Sequence, residues 1–174
     1  MKKVFYWSPC LSNVGTVSST LNSAISLSKY SKKNYEAFII NVCGEWDRYA
    51  DYLEDNNVKL INFRLKYFKF LPKEGFIQSR ISYLIIFILS FIPLLQLLKK
   101  NKPDFIILHL ISSLPLFLLN CFIFKTKFIL RISGLPKLTK LRKFLWKLSS
   151  NKIFLVTSPT NQLIDQLKLQ KIFK

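Results

Sequence analysis

The chain has 174 residues, of which 50% are hydrophobic and 15% are aromatic. This length suits one α/β domain and excludes two full domains, and the composition excludes a disordered chain. The formal net charge of +18 lies wholly in residues 59–174, which carry 21 Lys and Arg against three Asp and Glu. Because this charge is interleaved with Leu, Ile and Phe, it favours an anionic membrane surface over nucleic acid as the partner.

The cysteines and the N-terminus indicate the compartment. Cys10, Cys43 and Cys121 are odd in number, widely spaced and set among apolar residues. This pattern argues against a disulfide framework and against a zinc site, and it favours a reducing environment. The apolar run at 4–7 ends at a Ser-Pro pair and is too short for the hydrophobic region of a signal peptide. We therefore expect a cytoplasmic protein.

Strands and helices alternate through the first part of the chain. A short apolar run, a loop with a glycine and a helix with one apolar face form the opening of a βαβ unit. The predicted elements are strands at 4–7, 37–42 and 59–63 and helices at 16–30 and 47–56. This order predicts an α/β fold with a Rossmann-like parallel sheet and helices on both of its faces.

A long apolar segment interrupts the alternation. Residues 81–98 are apolar apart from two serines and one glutamine, and at about 18 residues they reach the lower limit for crossing a bilayer. Pro93 lies inside the segment, and a basic stretch ends it. A crossing would separate two parts of one sheet, so we favour a hydrophobic and basic membrane-associating helix over 76–102 that lies in the interface. A true span and a wholly buried core helix are the alternatives.

The alternation resumes after this segment. The predicted elements are strands at 104–110, 127–132 and 153–156, helices at 114–122 and 136–148, and a last helix that Thr160 caps. The helix at 136–148 is basic and amphipathic: lysines occupy one side, and the other side carries Leu138, Leu141, Phe144, Leu145 and Leu148. Because there is no internal repeat and no low-complexity linker, we expect a single domain over 1–174.

Three of the four glycines, Gly15, Gly44 and Gly134, come just after predicted strands. In open parallel sheets the carboxyl ends of the strands form the ligand crevice, although any turn from strand to helix also favours glycine. Gly15 is the strongest candidate, because hydroxyl and amide side chains surround it at the start of a helix, where an anion is stabilised. The spacing matches neither a dinucleotide-binding fingerprint nor a P-loop.

Two further side chains end predicted strands and could enter the crevice. His109 is the only histidine, and its imidazole could bond a sugar hydroxyl or a transferring oxygen, or it could be a satisfied core residue. Arg131 could hold a phosphate with two hydrogen bonds, or it could extend from the sheet edge into solvent. No Cys or carboxylate cluster surrounds His109, so we expect no metal site, and no serine lies in a nucleophile elbow.

Several segments, taken together, resemble a known family. They are KVFYWSP with SNVGTVSSTLNSAISLSKY, then KNKPDFIILHL, RISGLPKL and LVTSPTNQLIDQL. Their order resembles the N-terminal domain of the group 1, or family 4, glycosyltransferases of the GT-B fold, and the resemblance covers nearly the whole chain. It implies that these residues are the acceptor-side half of a GT-B architecture, whose C-terminal donor domain lies outside the 174 residues.

The resemblance also implies site residues. Gly15, with Thr16 beside it, falls where the family's glycine loop lies under the donor phosphates and the acceptor. His109 follows the Pro-Asp aspartate by five residues, as does the family's histidine that contacts the donor sugar. Ser133 and Gly134 stand where the family has a His-Gly turn, and we add Arg131 beside them as a donor-binding residue.

The resulting expectation is a retaining, metal-independent glycosyltransferase without a cofactor. It transfers a sugar from a nucleotide-sugar donor to a membrane-associated acceptor, lipid-linked or polysaccharide, and is inactive without the donor domain. We expect it to lie peripherally on the inner face of the cell membrane and to bind no nucleic acid. One alternative is a non-catalytic, membrane-bound interaction module of flavodoxin-like topology, and a second is a basic nucleic-acid-binding domain.

Overall fold

The computed structural model describes residues 1–10, 15–63, 71, 76–134 and 138–173. Within them, six parallel strands form one sheet in the order β3-β2-β1-β4-β5-β6. The strands are β1 (Lys2–Trp7), β2 (Tyr35–Asn41), β3 (Lys59–Asn62), β4 (Phe105–Leu108), β5 (Lys127–Arg131) and β6 (Leu155–Thr157). The helices are α1 (Gly15–Tyr30), α2 (Ala50–Asp55), α3 (Phe76–Asn101), α4 (Ser113–Cys121), α5 (Lys140–Ser149) and α6 (Asn161–Leu169), and a 3-10 turn at Asp47–Tyr49 precedes α2.

Two apolar cores lie on the two faces of the sheet. Alternate residues of β1 enter different cores, because successive side chains of a strand point to opposite faces. Val4 and Tyr6 pack with α1 and α2. Phe5 and Trp7 pack in the larger core, which contains residues of α3, α4, α5 and α6. The predicted α/β sheet with helices on both faces is therefore confirmed.

The strand order reverses between β1 and β4. The chain builds outward from β1 through β2 to β3, and α3 then returns it to the other side of β1. This is the doubly wound Rossmann order, and it leaves a crevice beyond the carboxyl ends of β1 and β4. A flavodoxin-like topology, expected for the non-catalytic alternative, is wrong, because that order places the third strand beside the first.

Cap residues and helix ends fall close to the sequence expectations. The Thr160 hydroxyl accepts a hydrogen bond from Leu163 N at 3.3 Å and so caps α6 as predicted. Thr139 caps α5 in the same way through Arg142 N at 3.3 Å. This helix was expected from residue 136, but it begins at Lys140, because Thr139 is the extended cap residue; 135–137 lie outside the described residues.

The long helix α3 has two different faces. By length and composition it qualifies to cross a membrane, and 28% of its apolar window is buried. The buried face is a row spaced by four residues and exposed by 1% or less: Ser82, Ile86, Ser90, Leu94 and Leu98. The opposite side is apolar and 50–61% exposed: Ile81, Leu84, Ile88 and Ile92. A wholly buried core helix is therefore wrong, and the choice between an interfacial helix and a span stays a prediction.

The helix α5 packs differently from its sequence pattern. The apolar stripe was expected to form one side, but the residues of α5 that are buried are Trp146 and Ser149. Leu141, Phe144 and Leu148 of that stripe are 77%, 66% and 52% exposed. Helical spacing identifies a common side, and which side meets the core depends on the neighbouring helix.

Candidate functional site

The candidate site lies at the reversal point of the sheet, where β1 and β4 end side by side. His109 directly follows β4, and its backbone N–H donates to Trp7 O at 2.9 Å, so it extends the pairing with β1. The N-terminal part of α1 lies over the same edge, because α1 follows β1 through a short loop. The end of β4 and the N-terminal part of α1 therefore lie at the same edge of the sheet.

His109 is buried without a hydrogen-bond partner. Its side chain is 7% exposed, and neither ring nitrogen has a partner among the described residues. The ring lies 6.0 Å from the Tyr6 ring, centroid to centroid. Burial, and secondarily the positive charge of Arg131, lower the pKa of His109 to about 3. At neutral pH the imidazole therefore carries one donor and one acceptor that no described residue satisfies, and a polar ligand could satisfy both.

Arg131 ends β5 and points its guanidinium toward α1. Its Nη2 donates to Ser19 Oγ at 3.3 Å, while its Nε is buried and has no hydrogen-bond partner among the described residues. The ion pairs found in the described part of the chain, Lys59 with Glu36 and Lys168 with Asp165, do not include this arginine. A partly buried guanidinium without a carboxylate is costly unless an anion binds it. Arg131 is therefore the best candidate for an anion-binding residue.

A polar row on α1 faces the site. Thr20 Oγ1 donates to Thr16 O at 2.8 Å and lies within hydrogen-bond distance, 3.1 Å, of Ser8 Oγ. Tyr6 Oη and Ser23 Oγ lie 3.3 Å apart. Burial raises the pKa of Tyr6, and the Ser23 hydrogen bond and the Arg131 charge partly oppose this rise. These contacts fix α1 over the strand ends.

Helix α1 begins at Gly15, directly after residues 11–14, which lie outside the described residues. A Cβ built on Gly15 would meet no atom within 4 Å among the described residues, and Thr16 beside it is half-buried. The first N–H groups of an α-helix lack partners within the helix and favour an anion. Gly15 and Thr16 therefore lie at the start of α1, at the edge of the sheet where β1 and β4 end, and their role in binding stays a prediction.

Ser133 and Gly134 follow β5 at the same edge and are exposed. Among the described residues no hydrogen bond joins either of them to His109 or Arg131. A Cβ on Gly134 would have open space around it. These two residues share the edge with the site but do not line its buried part.

Gly44 has a structural explanation. Its φ is +77°, and a Cβ there would lie 2.8 Å from Asp47 Oδ2. The turn that follows β2 is also held by Glu45, whose carboxylate accepts from Cys43 N at 2.5 Å. Burial raises the pKa of Glu45 to about 7. Gly44 and Glu45 therefore shape a turn of the crevice rim.

Sequence reasoning missed several members of the site. Tyr6, Ser19, Thr20 and Ser23 were not singled out together, although Thr16, Ser19, Thr20 and Ser23 share the spacing of one helix side. Ser158, after β6, has a buried hydroxyl without a partner in the described part of the chain. Ile111, just beyond His109, has φ +46°. This value is an outlier for a β-branched residue and indicates local strain.

The described residues contain no group of three or more His, Cys, Asp or Glu that could hold a metal ion. Cys10 is buried, and burial raises its pKa to about 12. Burial also raises the pKa of Cys43. Such thiols are poor nucleophiles at neutral pH. The groups that could act on a ligand are therefore the imidazole of His109, the guanidinium of Arg131, the hydroxyls and the backbone N–H groups at the start of α1.

The fold was compared with known proteins. No protein-family model matches the sequence, and no curated protein matches it. The chain is similar in structure to CalG4, the calicheamicin glycosyltransferase, with a TM-score of 0.53 and 14% identity over 98% of this chain and 43% of that one. It is also similar to UDP-N-acetylglucosamine 2-epimerase, with a TM-score of 0.58 and 14% identity over 97% of this chain and 45% of that one.

These similarities establish the fold. The chain has the Rossmann-like architecture of one half of a GT-B protein, as expected, and it spans less than half the length of either solved neighbour. At 14% identity they do not establish membership of glycosyltransferase family 4.

Proposed function

We propose that this chain is the acceptor-side half of a glycosyltransferase that uses a nucleotide-sugar donor. The observation that carries the proposal is Arg131, a partly buried cation with no carboxylate partner among the described residues, close enough to His109 to lower its pKa. Both follow strand ends at the reversal point of the sheet, where ligands of this fold bind. The pairing of a cation with an uncharged imidazole suits a ligand with an anionic part and a hydroxyl-bearing part.

Each group has a distinct task in this proposal. Arg131 and the N–H groups at the start of α1, with Gly15 and Thr16, hold the diphosphate, whose charge grows as the sugar bond breaks. His109 bonds a sugar hydroxyl or the transferring oxygen. Ser133 and Gly134 extend the donor-binding edge. The transfer proceeds with retention and without a metal or a cofactor.

The donor and acceptor assignments have separate support. One structural neighbour is named as a glycosyltransferase, and the name of the other contains a nucleotide sugar, UDP-N-acetylglucosamine. The exposed apolar side of α3, ending in exposed Lys99 and Lys100, supports a membrane-associated acceptor, lipid-linked or polysaccharide. A donor domain outside these 174 residues completes the active site, and the protein works at the inner face of the cell membrane.

The exposed side of α3 also suits the second candidate, a membrane-bound module without catalysis. The two candidates differ at Arg131 and His109, because a module without a ligand has no need of a partly buried cation that lacks a carboxylate partner among the described residues. Binding of a nucleoside diphosphate at this site therefore decides between them.

The single histidine provides the measurement. Uridine diphosphate is titrated at millimolar concentrations while the imidazole signals of His109 are followed by NMR. We expect saturable shifts, and Arg131→Gln should weaken binding about tenfold or more, the value of a lost charge-assisted hydrogen bond. Lys33→Gln is the control, since Lys33 is an exposed cation before β2, at the opposite edge of the sheet. Absence of shifts, or equal weakening by both variants, would contradict the proposal.

A further inference from the structure

Helix α5 presents an apolar surface that the described residues of the chain leave exposed. Leu141, Phe144 and Leu148 are 77%, 66% and 52% exposed, and their spacing of three and four residues places them on one side of the helix. Exposed apolar side chains are ordinary when they are scattered, but a contiguous set marks an interaction site.

The orientation of α5 is fixed by its inner side. Trp146 is 4% exposed and its ring lies 5.5 Å from the Phe173 ring. Ser149 Oγ donates to Leu145 O at 2.7 Å and accepts from Asn120 of α4 at 2.7 Å. A rotation of the helix that buried Phe144 would break these contacts. The apolar side therefore faces outward as a feature of the folded protein.

This surface continues across the neighbouring helices. α4 packs between α3 and α5, and its Phe117 is 41% exposed and contacts the rings of Phe87 and Phe91 of α3. All three helices pack on the same face of the sheet, so their outer sides face away from it together. Exposed apolar side chains therefore occur on the outer sides of all three helices, α3, α4 and α5, on one face of the protein.

Charge identifies the partner. Lys140, Lys143 and Lys147 are exposed on α5, which carries no acidic residue. A second copy of this chain would oppose lysines with lysines, which like-charge repulsion disfavours. An anionic lipid surface accepts both the apolar side chains and the lysines.

We infer that α5 is a second membrane-contacting helix, and that α3, Phe117 and α5 together lie flat on an anionic bilayer. The inference rests on the membrane association of α3 in the proposed function and adds the helix that fixes the orientation. Helices α3 and α5 pack on the same face of the sheet. Because both contact lipid in this arrangement, α3 lies in the membrane interface and does not span the bilayer. The crevice at the strand ends then keeps a defined angle to the surface that carries the acceptor.

The first test measures vesicle binding by sedimentation. Vesicles contain phosphatidylcholine alone or mixed with phosphatidylglycerol. We expect Phe144→Ser with Leu148→Ser to lower the partition coefficient about tenfold, because two large apolar side chains lose their burial. The control is Tyr52→Ser, an exposed aromatic residue of α2 on the other face of the sheet, which should bind like the parent. Equal binding by the α5 double variant would overturn the inference.

The second test locates α5 in the bilayer. The native tryptophans Trp7, Trp46 and Trp146 are 0%, 0% and 4% exposed, so brominated lipids should quench them little. Phe144→Trp should be quenched strongly, while Tyr52→Trp should not. Lack of quenching at residue 144, or vesicle binding that ignores lipid charge, would point to a protein partner and overturn the inference. Neither assay uses a sugar nucleotide, so a failure here leaves the diphosphate test of the proposed function intact, and the reverse also holds.

Discussion

Acidification should destabilise this protein through one residue, His109. Its pKa in the folded state is about 3, against an ordinary value of 6.5, because burial and the nearby Arg131 disfavour the imidazolium. Between pH 6.5 and pH 3 the unfolded chain binds a proton that the folded chain does not. The free energy of unfolding therefore falls as pH falls through this window, by about 1.4 kcal/mol per pH unit.

Glu45 opposes this effect over part of the range. Burial raises its pKa to about 7 from an ordinary value of 4.5, so between pH 4.5 and pH 7 the folded state binds the extra proton. This contribution to stability is present at low pH and is lost as pH rises. Between pH 4.5 and pH 6.5 the two slopes have opposite signs, and the parent protein should show little net change there.

The variant Glu45→Gln isolates the histidine. A glutamine oxygen can still accept from Cys43 N, and it does not titrate. In this background we expect the free energy of unfolding, measured by urea denaturation, to drop by about 2–3 kcal/mol from pH 6.5 to pH 4.5. Adding His109→Gln should flatten the profile over the same range.

Equal slopes with and without His109 would refute this account of the site. NMR of the parent provides an independent check, because the chain has one histidine. Its imidazole signals should not titrate between pH 8 and pH 5. A midpoint near pH 6.5 would mean that His109 is solvated, and the argument that its buried ring nitrogens could bond a ligand would fail.

Two further predictions concern catalysis and membrane binding. The 174-residue chain alone should transfer no sugar, because a donor domain completes the active site of the proposed enzyme. Turnover of a nucleotide sugar by the purified chain, above the rate of a blank without protein, would contradict this prediction. Leu84→Asp with Ile88→Asp on α3, at positions 59% and 60% exposed, should release the protein into the soluble fraction with an unchanged far-UV circular dichroism spectrum. The same change at Ile86, which is fully buried, should instead unfold the protein. Retention of the Leu84 and Ile88 double variant on membranes would indicate that α3 spans the bilayer.

The sequence predicted the elements of the fold well, because strong local signals mark them. Apolar runs that end at Ser-Pro or Gly pairs mark β1, β2 and β5, and Thr160 marks the start of α6. Strand order carries no such local signal. It depends on where α3 returns the chain, so the meeting of β1 with β4 could be expected only from the resemblance to a known architecture.

The site was only partly predictable for the same reason. Gly15 and His109 stand at strand ends that the sequence identifies. The hydrogen bond between Arg131 and Ser19 joins residues 112 positions apart. It forms because β5 lies two strands from β1 in the sheet and the Arg131 side chain lies on the face that α1 covers. Likewise, periodicity grouped Leu141, Phe144 and Leu148 correctly. It could not tell that Trp146, outside that stripe, would be the residue that packs on the core.

The lowered pKa of His109 bears on the type of catalysis that this site can perform. A general base is most effective when its pKa lies near the working pH, and an imidazole with a pKa of about 3 accepts a proton too weakly to deprotonate a sugar hydroxyl at pH 7. A bound diphosphate would raise this pKa by placing negative charge between His109 and Arg131, but burial, the larger cause, would persist. His109 therefore suits orientation of a hydroxyl by a neutral hydrogen bond, whereas stabilisation of the leaving diphosphate falls to Arg131 and the start of α1. On this argument the transfer depends on the placement of donor and acceptor more than on proton transfer by this half of the protein.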